Sequence, residues 1–174
     1  MKPVSVVAIL AILGPPGTAQ ESTGIPDQVD GDSIRNYERI DERLATAGQP
    51  TLAALRGLRQ LGFKTVVNLR APGEIGEDEG AIAREAGLGY VSVPIFSGAF
   101  SSADADAVAR VLDDESAAPV LLHCASSNRV GGVMAVLEAR RGASTEDALA
   151  FGTRAGLRSD SMIEAAKRVI ESER

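Results

Sequence analysis

The run from Val120 to Arg129 constrains the fold of this chain more than any other part of the sequence. It begins with apolar residues that predict a buried strand ending in His123 and Cys124. A short loop of small and polar residues follows and closes with Arg129. The residues from 130 to 140 then have a helical pattern. The run therefore predicts a strand, a tight loop and the start of a helix, in that order.

This arrangement favours the binding of an anion. Backbone N–H groups and the dipole at a helix N-terminus attract negative charge, and the same field favours the thiolate form of a cysteine. Arg129 adds a planar two-pronged donor for phosphate or sulfate. Cys124 is the only cysteine of the chain. Residue type alone favours an inert buried thiol, but the loop around Cys124 favours a reactive one.

Composition limits the class of protein and of partner. The chain has 174 residues, of which 44% are hydrophobic, enough for one globular domain with a core. Its formal net charge of −6 argues against nucleic acid as a partner and leaves a small phosphorylated substrate open. His123 is the only histidine, which excludes a histidine-rich metal site. No metal or cofactor is predicted, and the acidic residues Glu74, Glu77, Asp78 and Glu79 are interpreted as a solvated loop.

The N-terminal residues resemble a targeting segment. Lys2 is followed by an apolar run, residues 4–13, that is too short to cross a bilayer, and the small residues 17–19 suit a signal peptidase. We therefore expect a signal peptide at residues 1–19, a flexible leader with little to bury at 20–33, and the folded domain at 34–174. The mature protein is expected to be periplasmic or secreted, with no membrane attachment after the signal is removed.

Beyond residue 34, predicted strands and helices follow one another. Strands are predicted at 34–40, 43–48, 64–69, 90–94 and 120–123, and helices at 51–61, 79–86, 101–112 and from about 130, 144 and 158. Such alternation predicts an α/β fold with a mainly parallel central sheet flanked by helices. In these folds ligands bind at the carboxyl ends of the strands. Cys124, Arg70 and the loop at 96–100 are expected at that edge.

These residues resemble a known family. His123 and Cys124, followed by a short loop, Arg129 and a helix, are similar to the phosphate-binding loop of cysteine-dependent phosphatases of the dual-specificity and tyrosine phosphatase superfamily. Most of those place five residues between the cysteine and the arginine, and this chain has four. The shorter loop resembles the phosphatase-like domain of beta-lactamase-hydrolase-like proteins. The segments Ala47–Pro50, Gly62–Arg70 and Tyr90–Pro94 extend the resemblance over residues 34–157.

The resemblance implies a cysteine-phosphatase fold and hydrolysis of a phosphomonoester through a phosphocysteine intermediate. Cys124 would be the nucleophile, and Arg129 would clamp the phosphate and stabilise the transition state. His123 would lie behind the thiolate, with Asn68 and Arg70 as supporting residues. The phosphate would lie among the amides of a loop whose members are Ala125, Ser126, Ser127, Asn128 and Arg129.

Three departures from the family pattern bear on turnover. Ser127 stands where the family usually has glycine, and a positive φ there costs a non-glycine residue about 1–2 kcal/mol. Val130 replaces a serine or threonine, so no hydroxyl can hydrogen-bond the leaving thiolate. The loop at 95–100 lacks the usual aspartic acid. We interpret Asp104 and Asp106 as helix-cap and helix-surface residues, and a missing general acid costs about 10²–10⁴-fold in rate.

Three functions remain open on these grounds. The first is a slow phosphatase acting on a small or aryl phosphate, with a small molecule or a protein carrying the phosphomonoester. The second is a rhodanese-type sulfurtransferase, because tight loops also cradle a persulfide. The third is an anion-binding pseudophosphatase that has lost turnover. The sequence makes no prediction of the oligomeric state.

Overall fold

The computed structural model describes residues 24–74, 78–96 and 99–174. The predicted signal peptide lies outside the described residues. None of the helices among the described residues is both long and apolar enough to cross a membrane.

The described residues form five strands and six α-helices. The strands are β1 (Glu38–Arg39), β2 (Leu44–Ala47), β3 (Thr65–Asn68), β4 (Gly89–Ser92) and β5 (Val120–His123). The helices are α1 (Leu52–Gly57), α2 (Glu79–Glu85), α3 (Ser102–Leu112), α4 (Asn128–Arg140), α5 (Thr145–Arg154) and α6 (Asp160–Ser172). A 3₁₀ turn, Pro72–Glu74, follows β3.

The strands form one sheet in the order β1-β2-β5-β3-β4. Only β1 is antiparallel, and it pairs with β2 as a short hairpin. The other strands run parallel, so the predicted mainly parallel α/β sheet flanked by helices is confirmed. The register aligns Ala47 of β2 and Asn68 of β3 with His123 of β5. The carboxyl ends of the three inner strands therefore meet at one edge.

Helices cover both faces of the sheet because successive side chains on a strand point to opposite faces. Val67 and Leu122 pack with α3, α4, α5 and α6, whereas Val66 and Leu121 pack with α1 and α2. Serines and a threonine cap several helices as the sequence predicts. Ser144 accepts a hydrogen bond from the amide of Asp147, and Ser101 forms a capping box with Asp104.

Two elements differ from the predictions. Helix α1 ends at Gly57 rather than near Gly62, because the chain tightens into turns with i→i+3 hydrogen bonds after Leu55. Helix α4 begins at Asn128, two residues before the predicted start, so Arg129 lies in its first turn.

The predicted leader also differs from expectation where the structure describes it. Ile25 is 3% exposed and packs in the same cluster as Leu58 and Phe63. The hydroxyl of Tyr37 donates a hydrogen bond to the carbonyl of Pro26 (2.6 Å). The expectation that this stretch has little to bury is therefore wrong at Ile25, because one aliphatic side chain is enough to fix a polar segment on an apolar face.

Candidate active site

Cys124 lies between the end of β5 and the start of α4, at the edge where the inner strands end. Its side chain is 1% exposed, and its amide donates to the carbonyl of Ala47 (3.4 Å). Asn128 begins α4, so the residues after Cys124 turn directly into a helix N-terminus. The structure thus has the strand, tight loop and helix that the sequence predicts.

Neighbouring segments hold the loop from outside through its carbonyls and side chains. The amide of Gln49 donates to the carbonyl of Ala125 (3.1 Å), and Asn36 Nδ2 donates to the carbonyl of Ser126 (3.3 Å). The Oδ1 atom of Asn128 accepts from the amides of Arg158 and Ser159, both at 2.7 Å. The loop therefore uses its acceptors for anchoring.

The loop amides are left for a ligand. Among the described residues, the backbone pairing of the amides from Ala125 to Arg129 is limited to the isolated antiparallel bridge between Gly48 and Ser126. Buried amides in proteins are nearly always paired, so a run of donors at a helix N-terminus, most of them without a partner there, indicates a site for an anion or water. These five amides belong to the residues predicted to bind phosphate.

Arg129 is held from one side. Its side chain is 7% exposed, and Nη1 donates both to Glu74 Oε2 (2.7 Å) and to the carbonyl of Ile95 (3.1 Å). The hydrogen bonds of Arg129 to described residues all leave from Nη1. The Nε and Nη2 atoms, the edge that binds an oxyanion in bidentate fashion, have no hydrogen-bonding partner among residues 24–74, 78–96 and 99–174.

Glu74 reaches Arg129 from the 3₁₀ turn after β3. The hydrogen bond from Arg129 holds the pKa of Glu74 below its usual value, with a smaller opposing effect of burial. The carboxylate is therefore ionised at neutral pH. The sequence analysis interprets this residue as part of a solvated loop, whereas its geometry makes it a partner that orients Arg129.

A second group of polar side chains lies beneath the loop. The Nε2 atom of His123 and Oε1 of Glu79 are 2.7 Å apart, in contact but short of the alignment of an ideal hydrogen bond. Gln49 Nε2 donates to Glu79 Oε2 (2.9 Å), and Arg70 Nη1 donates to Gln49 Oε1 (2.6 Å). The carboxylate of Glu79 thereby joins three segments, namely the turn after β2, the residues at the end of β3, and strand β5.

Glu79 is almost fully buried, with 3% of its side chain exposed. Burial alone would raise the pKa of Glu79, but contacts with His123, Gln49 and Arg70 together hold it below its usual value. The prediction of a solvated acidic loop is therefore wrong for this residue. The first residue of α2 faces inward, and its charge is compensated by donors from other elements.

Asn68 and Arg70 support the site from β3. The Oδ1 atom of Asn68 accepts from the amide of Arg70 (2.8 Å), and its Nδ2 donates to the hydroxyl of Tyr90 (3.0 Å). Burial raises the pKa of Tyr90, so the hydroxyl keeps its proton at neutral pH. Both residues are thus close to His123, and neither makes a described hydrogen bond to the loop at Cys124.

A family model with the description "DSP-PTPase phosphatase fused to NAD+ Kinase" matches residues 26–170. The chain belongs to this family. A beta-lactamase hydrolase-like protein of Xylella fastidiosa (strain Temecula1) is 35% identical to this chain over 113 residues, which is 62% of this chain and 26% of that protein. The chain therefore spans about a quarter of the length of this curated relative.

Solved structures share the fold of this DSP-PTPase. TpbA of P. aeruginosa is 26% identical, with a TM-score of 0.65 over 83% of this chain and 88% of that one. TpbA has also been crystallised in complex with phosphotyrosine. A DUF442 protein of Shewanella putrefaciens CN-32 is 22% identical, with a TM-score of 0.66 over 82% and 95% of the two chains. The resemblance to cysteine phosphatases is confirmed.

Ser127, which stands where the resemblance to cysteine phosphatases leads us to expect glycine, adopts the left-handed backbone conformation. Its φ is 67° and its side chain is fully buried. Gly156, after α5, lies against it, and a methyl group at position 156 would overlap Cβ of Ser127. The absence of a side chain at Gly156 makes room for the serine that replaces a glycine in the loop.

The described part of the loop between β4 and α3 contains no acidic residue. Asp104 accepts from the amide of Ser101 (2.9 Å), and Asp106 pairs with Arg140 (2.9 Å). Their interpretation as a cap and a helix-surface residue is confirmed. Phe96, in the same loop, is 61% exposed and directly follows Ile95, whose carbonyl contacts Arg129.

Three residues of the site were missed or misjudged from sequence, namely Glu74, Glu79 and Gln49. Glu79 and Glu74 stand in one acidic stretch, and nothing in that stretch distinguishes the buried carboxylate from the exposed one. A turn before a helix is enough to explain Gln49 in the sequence, so the sequence gives no indication of its contact with Glu79. The one available signal is the shared motif: Gln49 and Arg70 belong to the segments that carry the family resemblance.

Proposed function

We propose that this DSP-PTPase hydrolyses phosphomonoesters with Cys124 as nucleophile. The observation that carries the proposal is the set of amides from Ala125 to Arg129 around Cys124, most of them without a partner among the described residues, beside the Nε and Nη2 edge of Arg129, which has none among them. A tetrahedral phosphate dianion suits these donors, since its oxygens accept hydrogen bonds both from the loop amides and from a bidentate guanidinium. These donors also stabilise the charge that builds up during phosphoryl transfer.

The reaction proceeds in two displacements. The thiolate of Cys124 forms an S–P bond as the ester O–P bond breaks, and the leaving oxygen keeps the electron pair and takes a proton from water. Water then attacks phosphorus, its O–P bond forms as the S–P bond breaks, and inorganic phosphate and the thiolate are released. Arg129 and the loop amides hold the transferred group in both steps.

The substrate class proposed is an aryl phosphate. Glu74 is ionised at neutral pH and no acid stands in the described loop after β4, so the leaving group must depart without a strong acid. Phenolates leave under those conditions far more easily than alkoxides. Phe96 offers an exposed aromatic ring beside the site, and phosphotyrosine binding by TpbA supports the same class.

Turnover of para-nitrophenyl phosphate under reducing conditions tests the activity. We expect hydrolysis by the purified chain and none above background by Cys124→Ser. Arg129→Lys should lose about 10²–10³-fold in kcat, because lysine cannot bind two phosphate oxygens in one plane. Among phenyl phosphates, kcat/KM, which reports the first displacement, should fall as the pKa of the leaving group rises. A kcat/KM that is independent of the leaving group would contradict the absence of an acid.

A second candidate is an anion-binding pseudophosphatase, favoured by Val130 in place of a hydroxyl residue and by the missing acid. It predicts tight binding of orthovanadate to the wild type with no turnover of para-nitrophenyl phosphate. A rhodanese-type activity predicts sulfur transfer from thiosulfate instead. The family assignment and the phosphate-sized set of donors favour the phosphatase over it.

We also propose export, with cleavage of a signal peptide after Ala19. The short apolar run and the small residues before that position support it. Expression of the full chain in a bacterium with an N-terminal sequence determination of the mature protein tests this. A cytoplasmic product that retains Met1 or begins at Lys2 would contradict it.

A further inference from the structure

The buried carboxylate of Glu79 has no part in the displacement steps, yet it lies beneath the nucleophile's loop. Glu79 Oε1 and His123 Nε2 are both buried, and neither has another hydrogen-bonding partner among the described residues. At 2.7 Å they are each other's polar neighbour. An ionised carboxylate oxygen can only accept, so this contact requires a proton on Nε2 of His123.

The other ring nitrogen of His123 faces the nucleophile's own backbone. Nδ1 lies 3.4 Å from the carbonyl oxygen of Cys124. The ring of His123 is fully buried on β5, one residue before the cysteine. The ring's orientation is therefore transmitted to Cys124 through one peptide unit.

Donors on every side fix the carboxylate itself. Gln49 donates to Oε2 from the turn after β2, and Arg70 lies 3.9 Å from the same oxygen at the end of β3. Tyr90 on β4 is the other titratable group near it, and Asp78 precedes it at the start of α2. Gln49 and Arg70 thus hold Oε2, which leaves Oε1 toward His123.

We propose that Glu79 is a positioning residue that keeps a proton on Nε2 of His123 and so fixes the orientation of the histidine ring beneath the loop of Cys124. The carboxylate acts through the histidine and touches no substrate. Its catalytic consequence rests on the proposed phosphatase activity, whereas its effect on the histidine does not.

The single histidine of this chain makes the proposal directly measurable. With ¹⁵N-labelled histidine, the side-chain NMR spectrum reports the two ring nitrogens of His123 alone. In the wild type at neutral pH we expect the Nε2 signal to be that of a protonated ring nitrogen. A neutral Nδ1–H tautomer in the wild type would overturn the proposal without reference to any variant.

Glu79→Gln tests the role of the carboxylate with almost no change in shape. An amide places an NH2 group where the carboxylate has its second oxygen, so it cannot present an acceptor at both the position that faces Gln49 and the position that faces His123. We expect the Nδ1–H tautomer to appear in this variant, and kcat for para-nitrophenyl phosphate to fall about tenfold with KM within about twofold. Glu85→Gln, an exposed change at the other end of α2, should leave both readouts unchanged.

The outcomes separate the two proposals. An unchanged histidine spectrum in Glu79→Gln overturns the positioning role, even if the wild type is an active phosphatase. An altered spectrum with no turnover in the wild type keeps Glu79 as the residue that orients His123 and removes the proposed phosphatase activity. If Glu79→Gln does not fold, the wild-type spectrum alone tests the positioning role. A proton on Nε2 supports that role, and a neutral Nδ1–H tautomer overturns it.

Discussion

At the scale of single residues, Ser127 shows how one loop position bears a conformational cost. Its left-handed backbone costs a serine about 1–2 kcal/mol relative to glycine. Gly156 leaves space for the side chain but cannot remove that backbone cost. The loop conformation is thus maintained by the packing around it rather than by the preference of its residue.

Ser127→Gly should relieve this cost. The matched control is Ser126→Gly, because Ser126 is exposed and has no positive φ, while both variants add the same flexibility to the unfolded chain. Urea unfolding should show Ser127→Gly to be more stable than Ser126→Gly by about 1–2 kcal/mol. Equal stabilities would mean that the conformation at Ser127 carries no strain.

Val130 bears on the second displacement. It is fully buried in the first turn of α4 and lies in the same core cluster as Cys124. Without a hydroxyl to stabilise the departing thiolate, breakdown of the phosphocysteine should limit the rate, and the first turnover should appear as a burst of nitrophenolate.

Val130→Thr should speed that breakdown by about tenfold and abolish the burst, because a hydroxyl–thiolate hydrogen bond contributes about 1.5 kcal/mol. Stopped-flow measurement of nitrophenolate release checks it. Val133→Thr places the same buried hydroxyl one turn further along α4 and should keep the burst. A burst that survives in Val130→Thr would exclude this role of the hydroxyl.

At the scale of elements, the 3₁₀ turn at Pro72–Glu74 orients Arg129. The Glu74 side chain is 45% exposed, so solvent weakens the ion pair and we assign it no stability value. Because the folded pKa of Glu74 lies below its usual value, the contact is complete above that usual value and is lost as pH falls through the folded pKa.

Glu74→Gln should therefore lower kcat/KM about fivefold at neutral pH, as a charged partner of Arg129 becomes a neutral one. The gap between the wild type and the variant should stay constant at neutral pH and narrow only as the pH falls through the lowered pKa of Glu74, where the carboxylate protonates. Para-nitrophenyl phosphate kinetics across that range check this. A gap of constant size at all pH values would show that the charge of Glu74 is irrelevant.

The elements themselves were largely predictable from sequence. Strands β3 and β5 and the starts of α3, α5 and α6 have local signals, namely β-branched runs and serine caps, and each is observed within about two residues of its predicted position. The position of Cys124 follows from the same local signals. The contact between Glu79 and His123 joins segments far apart in the chain, so no local pattern encodes it.

At the scale of the whole molecule, the domain includes residues before the predicted boundary at 34. Ile25 closes the core on the α1 and α2 face, and Tyr37 is bonded to the same segment. Polar composition around Ile25 concealed this, because composition averages over a stretch whereas one buried side chain decides whether the stretch packs.

Ile25→Ala should destabilise the protein by about 2–4 kcal/mol, the usual loss for a buried aliphatic side chain. Gln28→Ala, an exposed change in the same segment, should shift the free energy of unfolding by less than about 0.5 kcal/mol. Chemical denaturation of both variants checks it. If the two variants proved equally stable, residues 24–33 would not belong to the folded unit.

The central claim is that Cys124 attacks phosphorus. The most direct test is a rapid quench of the wild type during para-nitrophenyl phosphate turnover, followed by peptide mass measurement. We expect one phosphoryl group on Cys124, accumulated because Val130 leaves its hydrolysis slow, and none in Cys124→Ser. Turnover without a phosphorylated Cys124 peptide in any quench, or equal turnover by Cys124→Ser, would contradict the claim.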